Sequence, residues 1–285
     1  MTPKKDDNPP RPFQEDYQEV EPILFREDGP GMIARPDPCS VPVESPLTIE
    51  VKEVGAFTVM SSPGEALALA VGFLLGEGLI SSLDDIGFLR RCEDDPSVIR
   101  IQLTAPPAGE RPARNLIVAS SCGLCGAQNL DEMIAELPQV GRTLTLAPEA
   151  LMRAVRTMEE TQVLYGQTGG THAAAIFDQA GRILSQAEDM GRHNALDKAV
   201  GKMILAGQKT AGLAVALSGR VSLEMIVKSA RAGLELIAAV SSPTSLALEA
   251  AKRCGISVCG FVRETRATSY THSERIAGLR EMVEE

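Results

Sequence analysis

Between Ala173 and Val262 the chain repeats one pattern: a short apolar run, a polar loop rich in Gly, Ser and Arg, then a longer segment with helical spacing. Residues Ala173 to Asp178 and Arg182 to Gln186 read as strands about the turn Gln179-Ala180-Gly181. Next come a helix from about Asn194 to Leu205, a strand from Gly212 to Leu217 and a helix from Val221 to Ala232. A strand from Leu234 to Val240, a helix from Pro243 to Arg253 and a strand from Ile256 to Val262 complete the series. Strands alternating with helices of this length need crossover connections, which predicts a mainly parallel sheet with helices packed on it. Glu274 to Val283 reads as a closing helix.

The first half has a different grammar. Residues 1–35 mix Lys, Asp, Pro and Glu without apolar periodicity and read as a mobile arm. From Leu47 to Met60, two alternating segments flank Gly55 and suggest a hairpin. Ser62, Pro63 and Glu65 then match a capped helix start, with Ser62 as cap, and Gly76 and Gly78 mark the helix end. Phe88 to Cys92 and Val98 to Leu103 read as strands about Asp94-Asp95-Pro96-Ser97, with Cys92 a packed thiol. A Pro-, Gly- and Arg-rich stretch from Ala105 to Arg114 leads to the cysteine loop, and Asn129 to Leu137 and Pro148 to Glu160 follow as helices. The second of these carries Leu151, Ala154, Val155 and Met158 on one face. The expected organisation is an arm (1–35), a small α+β domain ending in a C-x-x-C loop (36–135) and an α/β domain (136–285).

Composition narrows the function classes. Forty-four per cent hydrophobic and 23% charged residues describe an ordinary globular protein, and a formal charge of −10 argues against general nucleic-acid binding. The longest apolar run, Ala66 to Leu75, is far shorter than the roughly 18 residues of a membrane span, and Met1 to Pro10 lacks the apolar core of a secretory signal. These features predict a cytoplasmic protein, where six cysteines serve as free thiols, metal ligands or catalytic groups rather than as structural disulfides.

Ligands of α/β sheets bind at the carboxyl ends of strands. The loop before the first strand holds Thr168-Gly169-Gly170-Thr171-His172, and the loop after the second holds Asp189 to Asn194, with Asp197 and Lys198 one turn on. Ser218-Gly219-Arg220 with Ser222, Ser241 to Thr244, and Arg263 to Arg266 follow. Small residues at helix starts, helped by arginines, suit phosphates, although each serine alone also serves as a helix cap. His172 and His193 stand in these loops as hydrogen-bond donors or proton carriers, or as satisfied polar residues. Neither a Walker sequence nor a G-x-G-x-x-G run after a strand occurs. Cys254 and Cys259 read as buried thiols. Ser121-Cys122-Gly123-Leu124-Cys125-Gly126 carries two thiols at a spacing that fits a metal half-site, a dithiol switch, or a nucleophilic cysteine with a neighbour.

Together, that cysteine segment, Thr168 to His172, Asp189 to Lys198, Ser218-Gly219-Arg220 and Gly260-Phe261-Val262-Arg263 resemble the FdhD family of formate dehydrogenase accessory sulfurtransferases, from about Glu44 to the C-terminus. The resemblance implies a cytoplasmic homodimer with a cytidine-deaminase-like α/β C-terminal domain. It implies acceptance of persulfide sulfur from a cysteine desulfurase and delivery to the molybdenum (or tungsten) bis-molybdopterin guanine dinucleotide cofactor before that cofactor enters the formate dehydrogenase catalytic subunit. Cys122 would carry the persulfide and Cys125 assist. Phe261, Val262, Arg263, Glu264, Thr265 and Arg266 would bind the cofactor, with His172, His193 and Arg220 beside them and guanine nucleotide as a mimic of it. No resident metal is implied, and Cys39, Cys92, Cys254 and Cys259 stay outside the motif. A cofactor-binding chaperone without sulfur transfer is the non-enzymatic alternative. A zinc deaminase fits poorly: His172-Ala173-Ala174 lacks the proton-shuttling glutamate, and the cysteine pair comes before the histidine rather than after it.

Overall fold

The structure, a computed structural model, describes residues 16–107, 116–118 and 134–279. Cys122, Cys125, most of the Ala105 to Arg114 connection and the first part of the helix expected at Asn129 lie outside the described residues. A helical turn is present at 134–136.

The arm expectation is corrected for its second part. Strands β1 (Tyr17–Val20) and β4 (Cys39–Pro42) pair antiparallel, as do β2 (Ile23–Asp28) and β3 (Gly31–Pro36), so the chain from residue 17 to 42 runs out and back as one ribbon. Gly29-Pro30 turns it, with Gly29 at φ 60°. Register places Ile23, Phe25, Met32, Ala34 and Pro36 on one face of the outer half, and every residue of β2 and β3 is exposed.

Strands β5 (Ser45–Val51) and β6 (Gly55–Ser61) form the expected hairpin. With β7 (Ile86–Arg91), β8 (Val98–Leu103) and β9 (Leu116–Val118) they make a sheet of order β7-β8-β5-β6-β9. Cys92 falls just past β7 and is buried.

Helix α1 (Ala66–Gly76) is apolar all round, because it is covered on every side; its only partly exposed residue is Leu67. Ser62 does not cap it. Its N–H donates to Asp189 Oδ2 at 3.0 Å and its hydroxyl accepts the Met190 N–H at 3.2 Å, so distant partners displace the local cap. Glu65 occupies the N-cap position at φ 62°, held by an ion pair with Lys202.

The second sheet has the order β11-β10-β12-β13-β14-β15. Its strands are β10 (His172–Phe177), β11 (Ile183–Asp189), β12 (Ala214–Leu217), β13 (Leu236–Ala239), β14 (Ser257–Gly260) and β15 (Thr268–Thr271). The expected mainly parallel sheet is mixed instead: β12/β13 and β13/β14 are parallel, whereas β10/β11, β10/β12 and β14/β15 are antiparallel. The hairpin at Gly181 reverses the chain, and the crossover from β11 then passes over β10 to lay β12 on its far side.

Helices α2 (Pro148–Glu160), α3 (Val163–Thr168), α4 (Arg192–Leu205), α5 (Leu223–Arg231) and α6 (Ser245–Cys254) follow the expected order, with α3 unforeseen. The closing helix is corrected over its described part: a 3-10 turn at Ser273–Arg275 is followed by non-helical chain to residue 279.

Alternate residues of the central strands enter two cores. Ala174, Ile176, Val215, Leu217 and Ile237 join Leu196, Ile226 and α1, and through α1 reach Leu47, Ile49, Ile99 and Ile101 of the first sheet. Phe177, Ala214, Leu236 and Cys259 face α2, where Leu151, Ala154, Val155 and Met158 are buried as their spacing predicts. The first core therefore runs without a break between the two halves of the chain.

Candidate functional site at the sheet edge

His172 pairs with Asp189 across β10 and β11, and β12, β13 and β14 end on the same edge. The loops flagged in the sequence gather there and are laced by main-chain bonds. Ser218 N–H donates to Ala173 O (3.1 Å), Val221 N–H to Ser242 O (3.1 Å) and Phe261 N–H to Ser241 O (3.2 Å). Ser218 Oγ accepts the Ala173 N–H at 2.9 Å and lies 3.5 Å from His172 Nδ1.

The Phe261 to Arg266 segment stands on the β14 end of that edge. Phe261 is 42% exposed and takes φ 49°, an uncommon backbone state for an aromatic residue. Val262 is fully buried in the second core, its N–H donating to Ala239 O and its carbonyl accepting from Arg263, so it offers no contact to a ligand. Arg263 is exposed, yet its guanidinium donates to Val240 O and Val262 O at 2.7 Å each, and its N–H closes a turn onto Arg266 O. Glu264 meets Arg156 at 3.6 Å. Thr265, Arg266 and Arg220 point outward as exposed residues.

Three strand spacings separate β10 from β14, about 14 Å. His172 and His193 are thus a separate group from Phe261 to Arg266. Both histidines line a cavity of about 360 Å³ closed by Val59, Met60, Phe73, Arg192, Asn194, Asp197, Glu77 and Lys228. A larger cleft, about 740 Å³, opens at the base of the ribbon beside Tyr17, Leu164 and Ile183, but neither a histidine nor an arginine lines it.

Two buried ion pairs and one histidine–carboxylate contact stand in and beside the wall of the histidine cavity. Asp189 Oδ2 receives Lys198 Nζ at 2.7 Å, while Oδ1 accepts the Gly191 N–H (2.8 Å) and Asn194 Nδ2 (2.9 Å); Lys198 also donates to Ser62 O. Lys228 Nζ donates to both oxygens of Asp197, at 3.0 and 2.7 Å, with Glu77 at 3.9 Å. Burial pushes the Asp197 carboxyl up to about 6 against the pull of Lys228. Burial also opposes the Lys228 charge, but Asp197 and then Glu77 outweigh it and raise the pKa. His193 Nε2 meets Glu224 Oε2, joining the first turns of α4 and α5. His172 is held below its ordinary value by burial, then by Arg192 and His193, and is neutral at pH 7.

Lys228, Glu77, Glu224 and Ser62 were invisible as site residues in the sequence. The available signal was Glu224 and Lys228 one turn apart at a helix start. Cys254 and Cys259 are buried with pKa values pushed up to about 11, so both stay protonated at neutral pH; Cys39 is exposed. Among the described residues no group of three or more His, Cys, Asp or Glu is arranged to hold a metal ion.

The described strand nearest the cysteine pair leads toward this cavity. β9 runs parallel to β6 with Val118 opposite Val59, and Val59 and Met60 line the cavity, Met60 O accepting Asn194 Nδ2 at 2.8 Å. Cys122 is four residues after Val118, a chain length that spans at most about 14 Å.

Comparison with known proteins agrees with this architecture. The chain is 34% identical over 238 residues to the sulfur carrier protein FdhD of Bordetella bronchiseptica, covering 82% of this chain and 86% of that protein. It is 37% identical over 240 residues to the sulfur carrier protein FdhD of Saccharolobus solfataricus, covering 83% and 90%. The crystal structure of a candidate formate dehydrogenase accessory protein from Desulfotalea psychrophila superposes with a TM-score of 0.69 at 25% identity, covering 90% of this chain and 99% of that one. The model of the FdhD/NarQ family matches residues 42–277, and the chain belongs to that family.

Proposed function

We propose that this protein is a sulfurtransferase that takes sulfur from a cysteine desulfurase as a persulfide on Cys122. It passes that sulfur to the molybdenum bis-molybdopterin guanine dinucleotide cofactor before the cofactor enters formate dehydrogenase. The observation that carries this reading is the strand β9: the last described residue before the cysteine pair, Val118, lies beside Val59 on the rim of the histidine cavity. The acceptor's phosphates suit Arg266 and Arg220, which are exposed on the same sheet edge, and its rings suit the exposed Phe261. The names of the relatives support a sulfur-carrying role. The strand order and the helices on both faces of the second sheet are compatible with a cytidine-deaminase-like domain. A homodimer working in the cytoplasm belongs to the same reading, which includes no resident metal.

In the first step the Cys122 thiolate attacks the outer sulfur of the donor persulfide, the donor S–S bond breaks, and the donor cysteine leaves as a thiolate. In the second, Cys125 attacks the inner sulfur of Cys122-S-SH and expels the outer sulfur as hydrosulfide to the acceptor. A Cys122–Cys125 disulfide remains, and a cellular thiol must reduce it before the next cycle.

Mass spectrometry of the protein incubated with a desulfurase and cysteine tests the reading. One added sulfur on Cys122, lost in Cys122→Ala together with dehydrogenase maturation, is expected. Maturation that survives Cys122→Ala would favour the chaperone alternative.

A further inference from the structure

We infer that the histidine cavity is a binding site for a free α-amino acid with an apolar or sulfur-containing side chain. Its volume of about 360 Å³ lies at the small end of ligand pockets, which is room for one small molecule and not for a molecule carrying two nucleotides. The inference concerns that seat alone and stands whether or not Cys122 carries sulfur.

Charge decides the ligand class. The charged side chains that line the cavity are Glu44, Glu77, Arg192, Asp197 and Lys228. Three of them answer one another: Lys228 donates to both oxygens of Asp197 and stands 3.9 Å from Glu77, a group that is itself net negative. Arg192 and Glu44 are left. Arg192, the first residue of α4, is partly buried, and its Nε is shut away from water with no hydrogen-bond partner among the described residues. Leaving such a donor unmet is costly, and a carboxylate meets a guanidinium with charge-assisted, paired bonds. The Arg192 charge is felt inside the cavity, where it is the largest cause after burial of the lowered His172 pKa. Glu44, exposed just before β5, forms no ion pair among the described residues.

A plain anion would satisfy Arg192 but face repulsion from Glu44 and from the net negative group at Lys228. A ligand with both a carboxylate and an ammonium satisfies Arg192 and Glu44 together. The rest of the wall, Val59, Met60, Phe73 and Met190, is apolar and includes two polarisable thioethers, which sets the character of the ligand's side chain. Asn194 does not compete for the carboxylate, since its amide protons go to Met60 O and Asp189 Oδ1.

The test is calorimetric titration of the full-length protein with L-leucine and L-methionine, beside isocaproate, which lacks the ammonium, and isoamylamine, which lacks the carboxylate. The amino acids should bind, and each analogue should bind at least about tenfold more weakly than L-leucine. Arg192→Gln should weaken L-methionine by about tenfold or more, Arg192→Lys should recover part of that loss, and Glu44→Gln, at an exposed position, should weaken it only a few-fold. Saturating wild-type protein with L-methionine should raise the His172 pKa in a ring-nitrogen NMR titration, because the carboxylate neutralises Arg192. Absence of both heat and a His172 shift with either amino acid would overturn the inference. Isocaproate binding as tightly as L-leucine would overturn the amino-acid class, and undiminished binding to Arg192→Gln would place the ligand elsewhere. If that variant fails to fold, the wild-type panel and the His172 titration decide.

Discussion

A methyl group on Gly72 would collide with the main-chain carbonyl of Asp197, and one on Gly201 with that of Ala68. Helices α1 and α4 therefore cross backbone to backbone, and that contact joins the two halves of the chain. Gly72→Ala should destabilise the protein by about 3 kcal/mol, because main chain must move rather than a flexible side chain. Gly166→Ala, inside α3 with open space around it, should be neutral or stabilise by about 0.5–1 kcal/mol. Urea unfolding of both variants makes the comparison.

Asp189→Asn leaves Lys198 charged at 1% exposure without its counter-ion. The expected loss is about 3–5 kcal/mol in chemical denaturation. Asp189→Asn combined with Lys198→Met should recover part of it, since no charge is then stranded. A double variant less stable than the single one would contradict this account.

His172 predicts a pH dependence whose sign follows from its depressed pKa. The unfolded chain binds the proton more readily, so the stability contributed by the neutral ring is complete above pH 6.5. It declines as pH falls from 6.5 toward the lower folded value. His172→Gln should flatten that decline, read as the difference between wild-type and variant unfolding free energies across this window.

Glu235 gives an acid-side counterpart. Burial raises its pKa, but donors from Leu144 and Thr143, then Arg275, outweigh burial and hold the carboxyl low. Its contribution is present above pH 4.5 and lost as pH falls through the depressed value. Glu235→Gln should cost about 3 kcal/mol at pH 7 and show a shallower loss of stability in acid.

The outer ribbon makes the opposite prediction. Phe25 is 68% and Met32 59% exposed, so nothing among the described residues buries them. Phe25→Ser with Met32→Ser should change the unfolding free energy by no more than about 0.5 kcal/mol. A larger loss, growing with protein concentration, would mean that a second molecule covers that face.

Local order was legible where local chemistry decides it. Helix α2 begins at Pro148 and buries Leu151, Ala154, Val155 and Met158, as its spacing predicts. The loops at the strand ends share one edge, as the alternation of strand and helix implied. What the sequence hid depends on partners far along the chain. Ser62 looks like a cap until Asp189 and Met190, more than a hundred residues away, claim its N–H and hydroxyl. Asp197 and Lys198 read only as neighbours of a ligand loop and Lys228 carried no signal, because helical spacing does not reveal that α4 and α5 are covered on nearly every side. The ribbon did carry a turn signal, Gly29-Pro30, but the prolines and charges around it resembled a solvated tail. The antiparallel pairing of β10 and β12 follows from which side of β10 the crossover lands, which periodicity does not encode.

The spacing of the strands also sets a length requirement. The histidine cavity opens at β10 and Phe261 follows β14, so a ligand gripped at both places at once must be long enough to bridge about 14 Å. A sulfide ion, a free amino acid or a lone pterin ring falls short of that. A molecule assembled from two nucleotide-bearing halves does not, so under the proposed function the distance between the two places would favour a long acceptor over a short one.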